Sequence, residues 1–104
     1  EPETNEDGIV TTEEELEAFF IVKSIIRSVV TSDRITYKDT RSYFGVQIDN
    51  NVRKTVVRFY FNQQKNKRIA IISEDKSERM YKVQTLDEIY NYADELTEAA
   101  KRYI

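Results

Sequence analysis

The chain contains no Cys and no His. Their absence excludes disulfides, thiol redox chemistry, cysteine nucleophiles, Ser-His triads and the usual zinc ligand sets. Glycine is scarce as well. Gly8 and Gly45 are the two in the chain, and neither stands in a Gly-rich motif, so a phosphate-cradling loop is excluded. The longest apolar run, residues 18–22 (AFFIV), is far too short to cross a bilayer. The first residues are acidic rather than basic followed by apolar, which is not the pattern of a signal peptide. The expectation is a cytoplasmic chain with no membrane contact.

A length of 104 residues fits one domain, and a hydrophobic fraction of 39% suffices for a modest core. The net charge of −3 argues at face value against nucleic acid, but the charges are segregated. Residues 1–17 carry eight acids and no base, for −8. Residues 34–68 carry nine bases against Asp39 and Asp49, for +7. Residues 74–104 return to −3.

Residues 1–10 hold the one Pro, are acidic and start without Met. They read as a flexible tail or linker, and the chain reads as a domain cut from a longer protein. The pairing of −8 with +7 suggests that the tail folds back on the basic block and competes there with DNA. Residues 11–104 read as one α+β domain. Thr12 and Glu15 make a capping box, and apolar residues from Leu16 to Val30 recur at helical spacing, predicting a first helix over residues 13–30. Alternation predicts strands over 34–38, 43–48, 54–61, 68–72 and a short edge strand over 79–83, with hairpin-turn chemistry at Asp49, Asn50 and Asn51 and a polar loop over 62–67. Thr85 and Glu88 make a second capping box, ahead of a near-heptad stripe that predicts a helix over 86–103. The expected architecture has two layers. An antiparallel meander of four to five strands carries both helices on its apolar face, and its other face is open to water or a partner.

Two constellations stand out as candidate sites. The first is nuclease-like. Asp39 or Asp49 followed by the acid-x-Lys triplet Glu74-Asp75-Lys76 matches the composition of a Mg²⁺-dependent phosphodiesterase, whose acids hold the metal while the Lys activates water. A solvated charged loop produces the same triplet, and that reading is preferred. No catalytic or metal-binding residue is therefore assigned, and Asp39, Asp49, Glu74 and Lys76 stay as weak candidates. The second is the open sheet face. A simple register points Thr36, Lys38, Tyr43, Gln47, Arg58 and Tyr60 the same way, and aromatics among bases suit base stacking and phosphate contact. Cross-strand Tyr–Arg pairs that merely stabilise a sheet would look alike. With the flanking basic residues, the nucleic-acid candidates are Lys38, Arg41, Tyr43, Arg53, Lys54, Arg58, Tyr60, Lys65 and Lys67.

Three stretches carry a family resemblance: residues 11–25 (TTEEELEAFFIVKSI), 34–46 (RITYKDTRSYFGV) and 86–93 (LDEIYNYA), with RFYF at 58–61 beside them. Together they resemble the C-terminal region of bacterial predicted type IV restriction endonucleases, also described as type I restriction enzyme R-protein-like. The resemblance implies one part of a restriction system acting on foreign DNA, with the nuclease domain and any Mg²⁺ in the preceding part of the parent chain. It implies no cofactor for this piece. The expected role is a non-catalytic accessory domain that contacts DNA. The alternative is a protein-interaction or homodimerisation module, and a nuclease in its own right stands behind both.

Overall fold

The structure is a computed structural model that describes residues 3–4, 10–40, 43–61 and 67–103, with side chains described from Thr12 onward. Two short strands, β1 (Glu3–Thr4) and β2 (Val10–Thr11), pair antiparallel at the start. Glu3, Thr4 and Val10 belong to the segment read as a tail, and the rest of that segment lies outside the described residues. Helix α1 (Glu13–Ile26) follows, then a 3₁₀ turn at Ser32–Arg34. Strands β3 (Ile35–Asp39), β4 (Phe44–Ile48), β5 (Asn51–Tyr60), β6 (Arg68–Ile72) and β7 (Glu78–Lys82) come next. A 3₁₀ segment, Leu86–Tyr92, leads into helix α2 (Ala93–Lys101). Strands β3 to β7 form one five-stranded antiparallel meander in chain order. The fold is α+β.

The first capping box forms as expected. The Glu15 amide donates to Thr12 Oγ1 at 3.1 Å, and the Thr12 amide donates to Glu15 Oε1 at 3.0 Å. Glu15 is buried, and desolvation holds its carboxyl pKa above the usual value. The helix stops at Ile26, four residues short of the expected end. There the Ile26 carbonyl accepts from both Val29 and Val30, and the β-branched Val29-Val30-Thr31 run turns away from helix. Ala18, Phe19, Val22 and Ile26 face the core, whereas Phe20 is 58% exposed. A 100° step per residue turns position 20 away from the stripe that holds 18 and 22.

The second helical region departs further from expectation. Glu88 accepts from the Thr85 amide at 2.7 Å and from the Gln84 amide at 2.6 Å, so the predicted cap is in place. The segment it starts is 3₁₀, with three residues per turn. That period aligns Leu86, Ile89 and Tyr92 on the core side, with Tyr92 stacked on Tyr81 at 4.4 Å between ring centres. Tyr90, part of the heptad stripe, is exposed. In α2, Leu96, Ala99 and Ala100 are buried, so the stripe packs into the core.

One sheet face packs against the helices. A run of ring contacts crosses it: Phe19 of α1 meets Tyr37 at 5.0 Å, Tyr37 stacks on Phe44 at 4.8 Å, Phe44 on Phe59 at 5.7 Å and Phe59 on Phe61 at 5.2 Å. Arg102 and Tyr103 are tied to one end of the sheet. Arg34 donates to the Tyr103 carbonyl at 3.1 Å, Arg102 to the Ile72 carbonyl at 2.8 Å, and Lys76 to the Tyr103 hydroxyl at 2.8 Å. No helix among the described residues is long and apolar enough to cross a membrane.

Candidate nucleic-acid interface on the second sheet face

Register sorts the side chains. Lys38 opposes Gly45, Gly45 opposes Arg58, Arg58 opposes Ala70 and Ala70 opposes Met80, which puts one row across all five strands. Tyr60, Arg68 and Lys82 make a second row. Both rows lie on the face away from the helices, because the intervening residues Phe44, Val46, Phe59 and Ile69 belong to the core.

At the centre of this face the side chains stack on one another. The Arg58 guanidinium sits 4.8 Å from the centre of the Tyr43 ring, and Arg68 sits 5.9 Å from that of Tyr60. The two tyrosine rings are 6.1 Å apart. Glu78 joins the group: Arg58 Nη1 donates to its Oε2 at 3.1 Å, and the Tyr60 hydroxyl donates to the same oxygen. Burial, followed by Glu78, holds the Tyr60 phenol above its usual pKa. Gly45 gives the Tyr43 ring room: a Cβ there would come within 3.2 Å of Tyr43 Cε1, and the ring would have to give by a few tenths of an ångström.

The face is therefore not uniformly open. Gly45, Gln47, Ala70 and Ile72 occupy it and are buried. Strand alternation had predicted polar, solvated positions there. Ala70 and Ile72 are themselves apolar, and long neighbours such as Tyr43 and Arg58 lie beside the small residues.

Of the nine candidate binding residues, the structure gathers Lys38, Tyr43, Arg58 and Tyr60 on this face. Arg53 lies at the end of the sheet, in a segment that bulges between the Gln47–Thr55 and Ile48–Asn51 pairs. Two others are neutralised. Lys54 pairs with Asp49 at 3.1 Å, and Lys67 pairs with Glu14 in the first turn of α1. Arg41 and Lys65 lie outside the described residues. Two cations missing from that set belong to the face: Arg68, which stacks on Tyr60, and Lys82 beside it. Only hairpin register reveals them, because strand β6 reads as almost wholly apolar after Arg68.

The nuclease constellation does not assemble. Asp39 ends β3 opposite Phe44, at the far end of the sheet from the turns that carry Asp49 and Glu74. Asp49 and Asn50 have φ of 58° and 54°, the two left-handed residues of a type I′ hairpin turn. The Asp49 carboxylate is held by Arg34 at 2.8 and 2.9 Å and by Lys54 at 3.1 Å. Lys76 is engaged by the Arg53 carbonyl at 3.0 Å and by Tyr103. Among the described residues no group of three His, Cys, Asp or Glu side chains is placed to hold a metal ion.

Hydrogen bonds from Arg34, then Lys54, hold the Asp49 carboxyl well below the ordinary carboxylate range. A lowered pKa stabilises the fold above the unfolded-state value of 3.8 and ceases to do so as pH falls below it. Asp49→Asn keeps a residue that tolerates positive φ. It is expected to lower the melting temperature at neutral pH and to lose that deficit progressively below about pH 4. Circular dichroism melts of both proteins between pH 7 and pH 2 measure this, and a deficit that persists unchanged in acid refutes the pairing.

No protein-family model, curated protein or solved structure matches this chain.

Proposed function

We propose that this chain is a non-catalytic domain that binds DNA through the second sheet face. The observation that carries the reading is the charge of that face. Lys38, Arg58, Arg68 and Lys82 stand across four strands, and Glu78 is the one carboxylate among the described strand residues beside them. Glu78 engages Arg58, which leaves three cations spread over the sheet, flanked by the rings of Tyr43 and Tyr60. Cations on a rigid sheet suit phosphate oxygens, and phosphate contact supplies sequence-independent affinity. The tyrosine rings are already stacked by Arg58 and Arg68, so the face favours backbone contact over insertion of bases. The resemblance to restriction endonuclease C-terminal regions supports placing the domain beside a nuclease in a cytoplasmic restriction system. In that setting catalysis and Mg²⁺ belong to the neighbouring domain.

Fluorescence anisotropy with labelled duplex and single-stranded DNA, across 20–300 mM salt, tests the reading. Binding should weaken steeply and linearly on a log–log plot. No binding at the lowest salt would sink it. A stable dimer in sedimentation runs, indifferent to DNA, would favour the interaction-module alternative, for which the exposed Phe20 is a candidate contact.

A further inference from the structure

At the end of the sheet where Tyr103 is tied down, a half-enclosed cleft of about 380 Å³ opens. Its charged lining is Arg53, Arg58 and Lys76, and among the described residues no carboxylate lines it. Val52, Ile72 and the Tyr103 ring supply apolar surface, and Thr55 adds a hydroxyl. That volume lies in the range of small-molecule sites, which combine apolar walls with a few fixed polar groups.

Two irregularities of the backbone converge on this cleft. The first is the bulge in β5. Between the Gln47–Thr55 and Ile48–Asn51 pairs the strand carries extra residues, held by an Arg53 amide donating to Asn51 Oδ1 at 2.9 Å and by Thr55 Oγ1 donating to the Val52 carbonyl at 2.6 Å. The bulge swings Val52 and Arg53 out of the ladder and toward the cleft, and Val52 is left 55% exposed. The second is Lys76, whose φ of 71° places a non-glycine residue in the left-handed region. That conformation aims its ammonium at the Arg53 carbonyl and over the Tyr103 ring, 4.7 Å from the ring centre. Arg58 adds spare capacity. Its Nε is buried with no hydrogen-bond partner, and the ion pair it makes among the described residues, to Glu78, is partly exposed. No ion pair among the described residues engages the Arg53 guanidinium.

We infer that this cleft binds a phosphate monoester carried on a planar ring, the chemistry of a nucleoside 5′-monophosphate. Arg53 and Lys76 hold the phosphate, with Arg58 behind them, and the ring lies on Val52, Ile72 and Tyr103. The same chemistry arises from a free mononucleotide and from the phosphorylated 5′ end of a strand. The site is separate from Lys38, Arg68 and Lys82, so it does not depend on duplex binding by the broader face.

Amide chemical-shift titrations with AMP, adenosine and inorganic phosphate test the inference. AMP should bind at least tenfold tighter than either fragment, with shifts centred on Val52, Thr55, Ile72 and Lys76. Arg53→Ala and Lys76→Gln should each weaken AMP at least tenfold without changing the melting temperature by more than a few degrees. A variant lacking the Lys38, Arg68 and Lys82 side chains should keep AMP affinity even where DNA binding is lost, which separates failure of the two proposals. Competition by oligonucleotides then distinguishes the sources: a 5′-phosphorylated strand displacing AMP better than its 5′-hydroxyl twin identifies a strand end, and equal indifference to both identifies the free nucleotide. AMP binding no tighter than phosphate, or shifts spread evenly over the sheet, would overturn the inference.

Discussion

Phe59→Ala is expected to cost about 3–5 kcal/mol of stability. The ring is fully buried and stands between Phe44 and Phe61, with interplanar angles of 8° and 9°. Through Phe44 it connects to Tyr37 and to Phe19 of α1, so one side chain joins strands β3, β4 and β5 to the helical layer. Truncation removes the transfer free energy of the ring and leaves a cavity that rigid sheet neighbours cannot close. At roughly 4–8 °C per kcal/mol for a domain near this size, the melting temperature should fall by about 12–40 °C. Phe20→Ala is the control: its ring is 58% exposed, and the change should stay within about 0.5 kcal/mol. Urea denaturation of the two variants decides the matter, and equal losses would contradict the packing described.

The second large effect concerns binding. The combined variant Lys38→Ala, Arg68→Ala, Lys82→Ala removes the three cations of the second face that no carboxylate engages among the described residues. If each meets a phosphate, the slope of log affinity against log salt should flatten by about 2–3, at roughly 0.9 per duplex phosphate. The loss should be nearly uniform across DNA sequences, because phosphate contacts carry no base information. Lys54→Ala with Lys67→Ala is the informative contrast. Both lysines are held by carboxylates, Asp49 and Glu14, and their removal should leave the slope close to that of the parent. A triple variant with an unchanged slope would move the interface elsewhere. The stability cost of losing the Arg68–Tyr60 stack is about 0.5–1 kcal/mol, too small to unfold the domain and mimic the effect.

Much of the architecture follows from local rules. Thr12 with Glu15, Thr85 with Glu88, and the Asp49-Asn50 turn each act within a few residues, so their chemistry reads directly from the chain. The two-residue period of the strands places Phe44, Val46, Val57 and Phe59 on one side for the same reason. Where the local period changes, that reading fails. The 3₁₀ segment at Leu86–Tyr92 moves Tyr90 to solvent and Tyr92 onto Tyr81, a shift that a stripe drawn at helical spacing misses. The bulge at residues 51–55 likewise breaks alternation and carries Arg53 to the end of the sheet.

The site divides along the same line. Segregated charge, the absence of Cys and His, and the interleaving of Tyr with basic residues are properties of the chain alone, and they are enough to direct attention to the sheet rather than to the net charge. Which cations are free is decided only in three dimensions. Asp49 captures Lys54 because the hairpin turn brings it back beside Arg34, and Glu14 captures Lys67 from 53 residues away. Arg68 and Lys82 join the face through hairpin register, and Lys76 leaves the nuclease triplet because Tyr103 returns to meet it. A carboxylate and an ammonium far apart in sequence have no influence on each other until packing sets their distance. The chain therefore determines its elements and its charge, and the tertiary fold determines which charges face a partner.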